Sequence, residues 1–135
     1  MKKFLVLCLI VLFTACSKKT KAETETELID LTKLPVNLVY SAICQFNYDL
    51  DSYEGKEVKF KCDCYPSYRG DGVSYICEVP DEAGCCKRRF QIYPLDAKNF
   101  EITDDTVFYG RIKKFIDEAT DEELFRIVDV KAINQ

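Results

Sequence analysis

One amphipathic helix followed by five short β-rich runs predicts a mainly β domain. Three observations carry that expectation. Apolar residues fall at helical spacing between Val36 and Leu50. Downstream come five β-rich runs beginning at Val58, Val73, Arg88, Thr106 and Glu123, the first three of which place apolar residues with a period of two. Turn-forming residues separate the runs: Pro66, Gly70, Asp71 and Gly72, then Pro80 and Gly84, then Pro94, and finally the acidic stretch from Asp117 to Glu122.

Taken in order, Leu28-Ile29-Asp30-Leu31 is a short extended piece leading to Pro35, which suits the first turn of a helix because its missing N–H is not needed there. Val36, Val39, Tyr40, Ile43 and Asn47, flanked by Phe46 and Leu50, form the stripe of a helix ending near Asp49. Cys44 lies at the edge of that stripe and reads as a packed thiol or disulfide partner rather than a ligand. Asp51 to Lys56 turns into the first strand, Val58 to Tyr65, which puts Val58, Phe60, Cys62 and Cys64 on one face. The second strand, Val73 to Val79, puts Val73, Tyr75, Cys77 and Val79 on one face, and a hairpin folds the two faces together. Arg88 to Tyr93, with Phe90 and Ile92 inward, is the third strand, and a connection holding a turn of helix follows it. Thr106 to Ile116 and Glu123 to Ile133 are the fourth and fifth strands, with Gly110 marking a bulge or sharp bend. Five short antiparallel strands with one bent member fit a small five-stranded barrel of the OB type preceded by the helix; a sandwich is the alternative.

Lys2 and Lys3 precede an apolar run from Phe4 to Phe13, then Thr14-Ala15-Cys16. That run falls short of the about 20 apolar residues a membrane-spanning helix needs. Leu12-Phe13-Thr14-Ala15-Cys16 resembles a bacterial lipobox, from which it departs at Phe13, where the motif prefers Leu, Val or Ile. The resemblance implies a lipoprotein signal peptide over 1–15, lipidation at Cys16, and a lipidated N-terminus with a flexible tether over 16–27. The domain then occupies 28–135. An ordinary signal peptide cut near Ala15 is the alternative, and both readings export the chain. Ser17, where an Asp would favour retention, points by analogy to the outer membrane of a cell that has one.

A hydrophobic fraction of 47% and an aromatic fraction of 13% are those of a packed domain, which excludes disorder for the body of the chain. The net charge of −4 becomes −6 without Lys2 and Lys3, so an acidic surface with no basic tract beyond Lys87-Arg88-Arg89 excludes nucleic acid as the expected partner. With no histidine in the chain, Ser/His and Cys/His catalysis and His-containing metal sites are excluded, and the expectation is a protein that is not an enzyme.

Five of the eight cysteines, Cys62, Cys64, Cys77, Cys85 and Cys86, gather around the second strand. Two readings compete for them. The thiolates of Cys77, Cys85 and Cys86, with one or both of Cys62 and Cys64, could hold zinc or Cu(I). Alternatively the six cysteines after Cys16, an even number in an exported chain, pair into as many as three bridges. Redox chemistry ranks behind both because the chain has no C-x-x-C pair. Opposed residues on paired strands hold their Cβ atoms about 4.5–5.5 Å apart, against about 3.8 Å in a disulfide. A direct bridge from Cys77 to Cys62 or Cys64 is therefore expected to be strained. Lys87-Arg88-Arg89 is either a positive field lowering the thiol pKa values of Cys85 and Cys86 or a set of solvated residues at a strand start.

Four segments in order resemble a group of uncharacterised bacterial lipoproteins with an OB-like domain. They are Ile29 to Leu34, Val39-Tyr40-Ser41, Tyr53 to Lys59, and Tyr75-Ile76-Cys77 with Asp81 to Cys86. Those proteins carry a "DLTKL" segment, a "YxGKTVK" strand start and an "ACIIADATACC"-like block. A fainter similarity, confined to that last block, is to an OB-like domain of membrane-associated proteins linked to zinc-responsive permeases. There Cys77, Cys85 and Cys86 correspond to the block, and Cys62 and Cys64 replace residues that are glycine or apolar. The resemblance implies export, lipid anchoring and the fold, with no reaction to carry over. The resulting expectation is a lipid-anchored, extracytoplasmic binding or accessory module in the cell envelope, with a protein or transporter partner. Its alternative is a disulfide-stapled interaction module without metal.

Overall fold

The computed structural model describes residues 26–68 and 72–134, so the expected signal peptide, Cys16 and most of the expected tether lie outside the described residues. The fold is mainly β. Strand β1 is Leu28–Asp30, followed by a 3-10 turn at Leu31–Lys33, helix α1 at Val36–Tyr48 and a short helix α2 at Leu50–Tyr53. Then come β2 (Glu57–Phe60), β3 (Asp63–Ser67), β4 (Ser74–Pro80), β5 (Lys87–Pro94), a second 3-10 turn at Ala97–Asn99, β6 (Val107–Asp117) and β7 (Glu122–Ile133). They form one sheet in the order β1-β2-β6-β7-β5-β4-β3.

The structure shows seven strands where five were expected, and the sheet is not closed into the expected five-stranded barrel. The run from Val58 to Tyr65 is broken after Phe60. Its first part, β2, pairs with β6, while its second part, β3, pairs with β4 at the far end of the sheet. Lys61 and Cys62 sit outside both ladders. The chain thus passes from β2, second in the sheet, directly to β3 at its opposite edge. The extended piece at Leu28 is itself a strand, parallel to β2. The β5–β7 pairing is also parallel, so the sheet is mixed rather than wholly antiparallel. Pro66 sits in β3, whose outer edge needs no donor, and not in the hairpin turn.

Helix α1 starts where Pro35 predicts and buries Ile43 and Phe46. An aromatic chain runs through the core: Phe60 lies 5.6 Å from Phe90 and 5.5 Å from Phe108 between ring centroids, Phe90 lies 5.3 Å from Phe125, and Phe125 lies 5.5 Å from Phe46. Such edge and offset contacts add to the stabilisation from burial alone. The irregularity expected at Gly110 is present. Gly110 faces two residues of β7, Asp129 and Val130, between the Tyr109–Lys131 and Arg111–Val128 pairs. Asp129 takes the extra residue in a left-handed conformation (φ 55°), which Asp tolerates, and pairs with Arg111. A Cβ on Gly110 would collide with Ile127 and come within 2.9 Å of Val130.

Candidate functional site

The β3–β4 and β4–β5 hairpins position the cysteines, and they do so in two groups. In the first, Cys64 is directly opposite Cys77 in the ladder, and Cys62 stands just ahead in the break between β2 and β3. The three sulfurs lie within 4.8 Å of one another. Cys62 and Cys77 are at disulfide distance with Cα atoms 5.6 Å apart, inside the range such bridges span. The expected obstacle to a bridge applies to residues held in register. Cys62 is outside the ladder and free of that spacing. Cys77 is fully buried, and burial pushes the Cys64 thiol up to about 12, so Cys64 stays protonated and unreactive at neutral pH.

The second group occupies the turn between β4 and β5. The Asp81 N–H donates to the Cys86 carbonyl (2.8 Å) and the Gly84 N–H to the Asp81 carbonyl (3.1 Å), and Gly84 takes the positive φ of 70° that closes the turn. The Asp81 carboxylate turns inward, accepting from the Cys86 N–H and the Cys85 thiol, both at 3.3 Å. The Cys85 and Cys86 sulfurs stand 3.9 Å apart, and both lie within 4.8 Å of a carboxylate oxygen of Asp81. The adjacent cysteines face the same point because they sit in a turn, as Gly84 allows.

Backbone donation from Cys86, chiefly, holds the Asp81 carboxyl below its usual range, and the Asp81 carboxylate in turn pushes the Cys85 thiol up. The positive field considered for Lys87-Arg88-Arg89 does not act on Cys85 that way. Lys87 and Arg89 are directed at Glu78 on β4, at 2.9 and 2.5 Å. Arg88 lies over the Tyr40 ring at 5.9 Å, near the half-buried Cys44. Glu78 also accepts from the Tyr65 hydroxyl at 3.0 Å, and these three donors, Lys87 first, bring its carboxyl down to about 2.

Of the residues singled out in the sequence, Cys62, Cys64 and Cys77 come together, as do Cys85 and Cys86; Cys16 lies outside the described residues. Sequence reasoning missed Asp81 and Glu78 as members of the site. Asp81 could have been found, because an Asp three residues before a turn glycine commonly folds its carboxylate onto nearby backbone N–H groups. Comparison with family models, curated proteins and solved structures finds no match to this chain.

Proposed function

We propose that this chain is a lipid-anchored, extracytoplasmic binding or accessory module of OB type that captures zinc or Cu(I) on Asp81, Cys85 and Cys86, with Cys62–Cys77 as a structural staple. One observation carries the metal reading. A tetrahedral zinc with Zn–S bonds of about 2.3 Å needs its two sulfurs about 3.8 Å apart; those of Cys85 and Cys86 are 3.9 Å apart, beside a carboxylate. Three protein ligands on an exposed turn leave a fourth position from which an ion could pass to a protein or transporter partner. The OB assignment draws on the run from Val58 to Tyr65, whose first part pairs with β6 and whose second part pairs with β4. No helix among the described residues is long and apolar enough to cross a membrane, and the proposed attachment is through acylated Cys16 in the cell envelope.

A second reading is the stapled interaction module without metal, favoured by the Cys62–Cys77 approach alone. One experiment separates the two. Protein taken from an oxidising compartment without reductant should contain one bridge by mass, bind about one equivalent of zinc or Cu(I), and release protons as it binds. Asp81→Asn, Cys85→Ser and Cys86→Ser should each weaken that binding, while Cys44→Ser and Cys64→Ser should not. No bound metal and no free thiol at Cys85 and Cys86 would leave the stapled module as the function.

A further inference from the structure

The outer face of the sheet, turned away from the phenylalanine core, carries a second feature independent of the cysteines. A groove of about 980 Å³ crosses it, lined by Tyr65, Tyr68, Tyr93, Phe115, Ile116 and Arg126, among others. The Arg126 guanidinium is held between two rings, 5.1 Å from the centroid of Tyr93 and 5.1 Å from that of Phe115. Its Nε is buried and has no hydrogen-bond partner, and among the described residues its side chain pairs with no carboxylate. Arg89, the other guanidinium in the groove, is engaged by Glu78. Among the described residues the groove therefore contains one planar guanidinium without a carboxylate partner, in an aromatic surround.

A planar guanidinium fork matches a carboxylate, with two parallel hydrogen bonds. One free cation calls for one negative group, and Asp117 and Glu118 at the rim would repel a polyanion. The rest of the lining sets the ligand's length. Arg126 is on β7 and Tyr65 on β3, three strand positions away in the order β7-β5-β4-β3. At about 4.8 Å per strand that is about 14 Å, the reach of roughly four extended residues. Tyr68 is 95% exposed, leaving apolar surface at the groove's margin that a small acid at Arg126 would not cover. We infer that this groove binds the free C-terminal end of a peptide chain, with its carboxylate on Arg126 and its last, apolar side chain against Phe115 and Leu124. The preceding residues extend toward Tyr65 and Tyr68.

The test uses the full chain in detergent and dye-labelled tetrapeptides ending in Phe, Leu or Tyr, followed by fluorescence anisotropy. Each free-acid peptide should bind saturably, and its C-terminal amide should bind at least about ten-fold more weakly, as expected for loss of a charge-assisted pair. Arg126→Lys should weaken the acid by a similar factor and hardly change the amide. Tyr68→Ala, at a side chain too exposed to matter to folding, should weaken the peptides several-fold and leave 3-phenylpropionate unaffected. Zinc binding at Cys85 and Cys86 should be unchanged in both variants, so this site can fail without the metal site failing. Equal affinity for acid and amide, no saturable peptide binding, or 3-phenylpropionate binding as tightly as the peptides would overturn the inference.

Discussion

Cys64 faces Cys77 across the β3–β4 ladder, yet the sulfur that reaches Cys77 belongs to Cys62, in the break ahead of the strand. A residue in register is held at the strand spacing, whereas one released from the ladder can move to bonding distance.

The staple should therefore be specific. Peptide mapping without reduction should find Cys62 joined to Cys77, and Cys62→Ser should destabilise the domain by about 3 kcal/mol, the chain-entropy value for a loop of about 15 residues. Cys64→Ser should cost less than about 1 kcal/mol, as a substitution outside any bridge. A Cys64–Cys77 bridge in the map would reverse the assignment.

Glu78 should make the fold acid-sensitive. Its carboxyl is brought from an ordinary 4.5 down to about 2 in the folded chain, so it binds a proton more readily when unfolded. Its contribution to stability is full above about pH 5 and is lost as pH falls toward 2. Urea midpoints measured from pH 6 to pH 2 should fall more steeply in the parent than in Glu78→Gln. Parallel curves would show that Lys87, Arg89 and Tyr65 do not hold the carboxylate in solution.

Phe60 is 1% exposed and touches both Phe90 and Phe108, so Phe60→Ala should cost about 3–5 kcal/mol by chemical denaturation. Against a typical total of about 5–15 kcal/mol, that change alone brings a small domain close to unfolding. A loss below about 1 kcal/mol would mean that the ring is not in the core.

Cys16→Ser tests the proposed anchor. The variant should remain unprocessed by lipoprotein peptidase and leave the detergent phase on partition. If it partitions like the parent, the lipoprotein proposal fails.

The parts of the fold legible in the sequence are those fixed by local pattern. The stripe from Val36 through Ile43 and Phe46 gives α1, and the alternation around Phe90 and Ile92 gives the buried face of β5. Gly110 announces its own irregularity. The break after Phe60 was not legible, because Val58, Phe60, Cys62 and Cys64 keep perfect alternation through it. What changes there is the partner, from β6 to β4, and that is decided by residues far along the chain. The parallel β5–β7 pairing was hidden for the same reason. At the site, Gly84 pointed to the turn that aligns Cys85 with Cys86. The role of Glu78 depends on the β4–β5 register that brings Arg89 opposite it.

The division of one run between β2 and β3 also orders the assembly of the domain in time. The β3–β4, β4–β5 and β6–β7 ladders join neighbours in sequence, and short loops close quickly. Pairing β2 with β6 requires Phe60 to find Phe108 after the intervening hairpins have been placed. That long-range closure carries the largest loop entropy and should set the folding rate. Until it forms, Val58, Phe60 and the inner face of β6 remain open to water, and to the same edges of neighbouring chains.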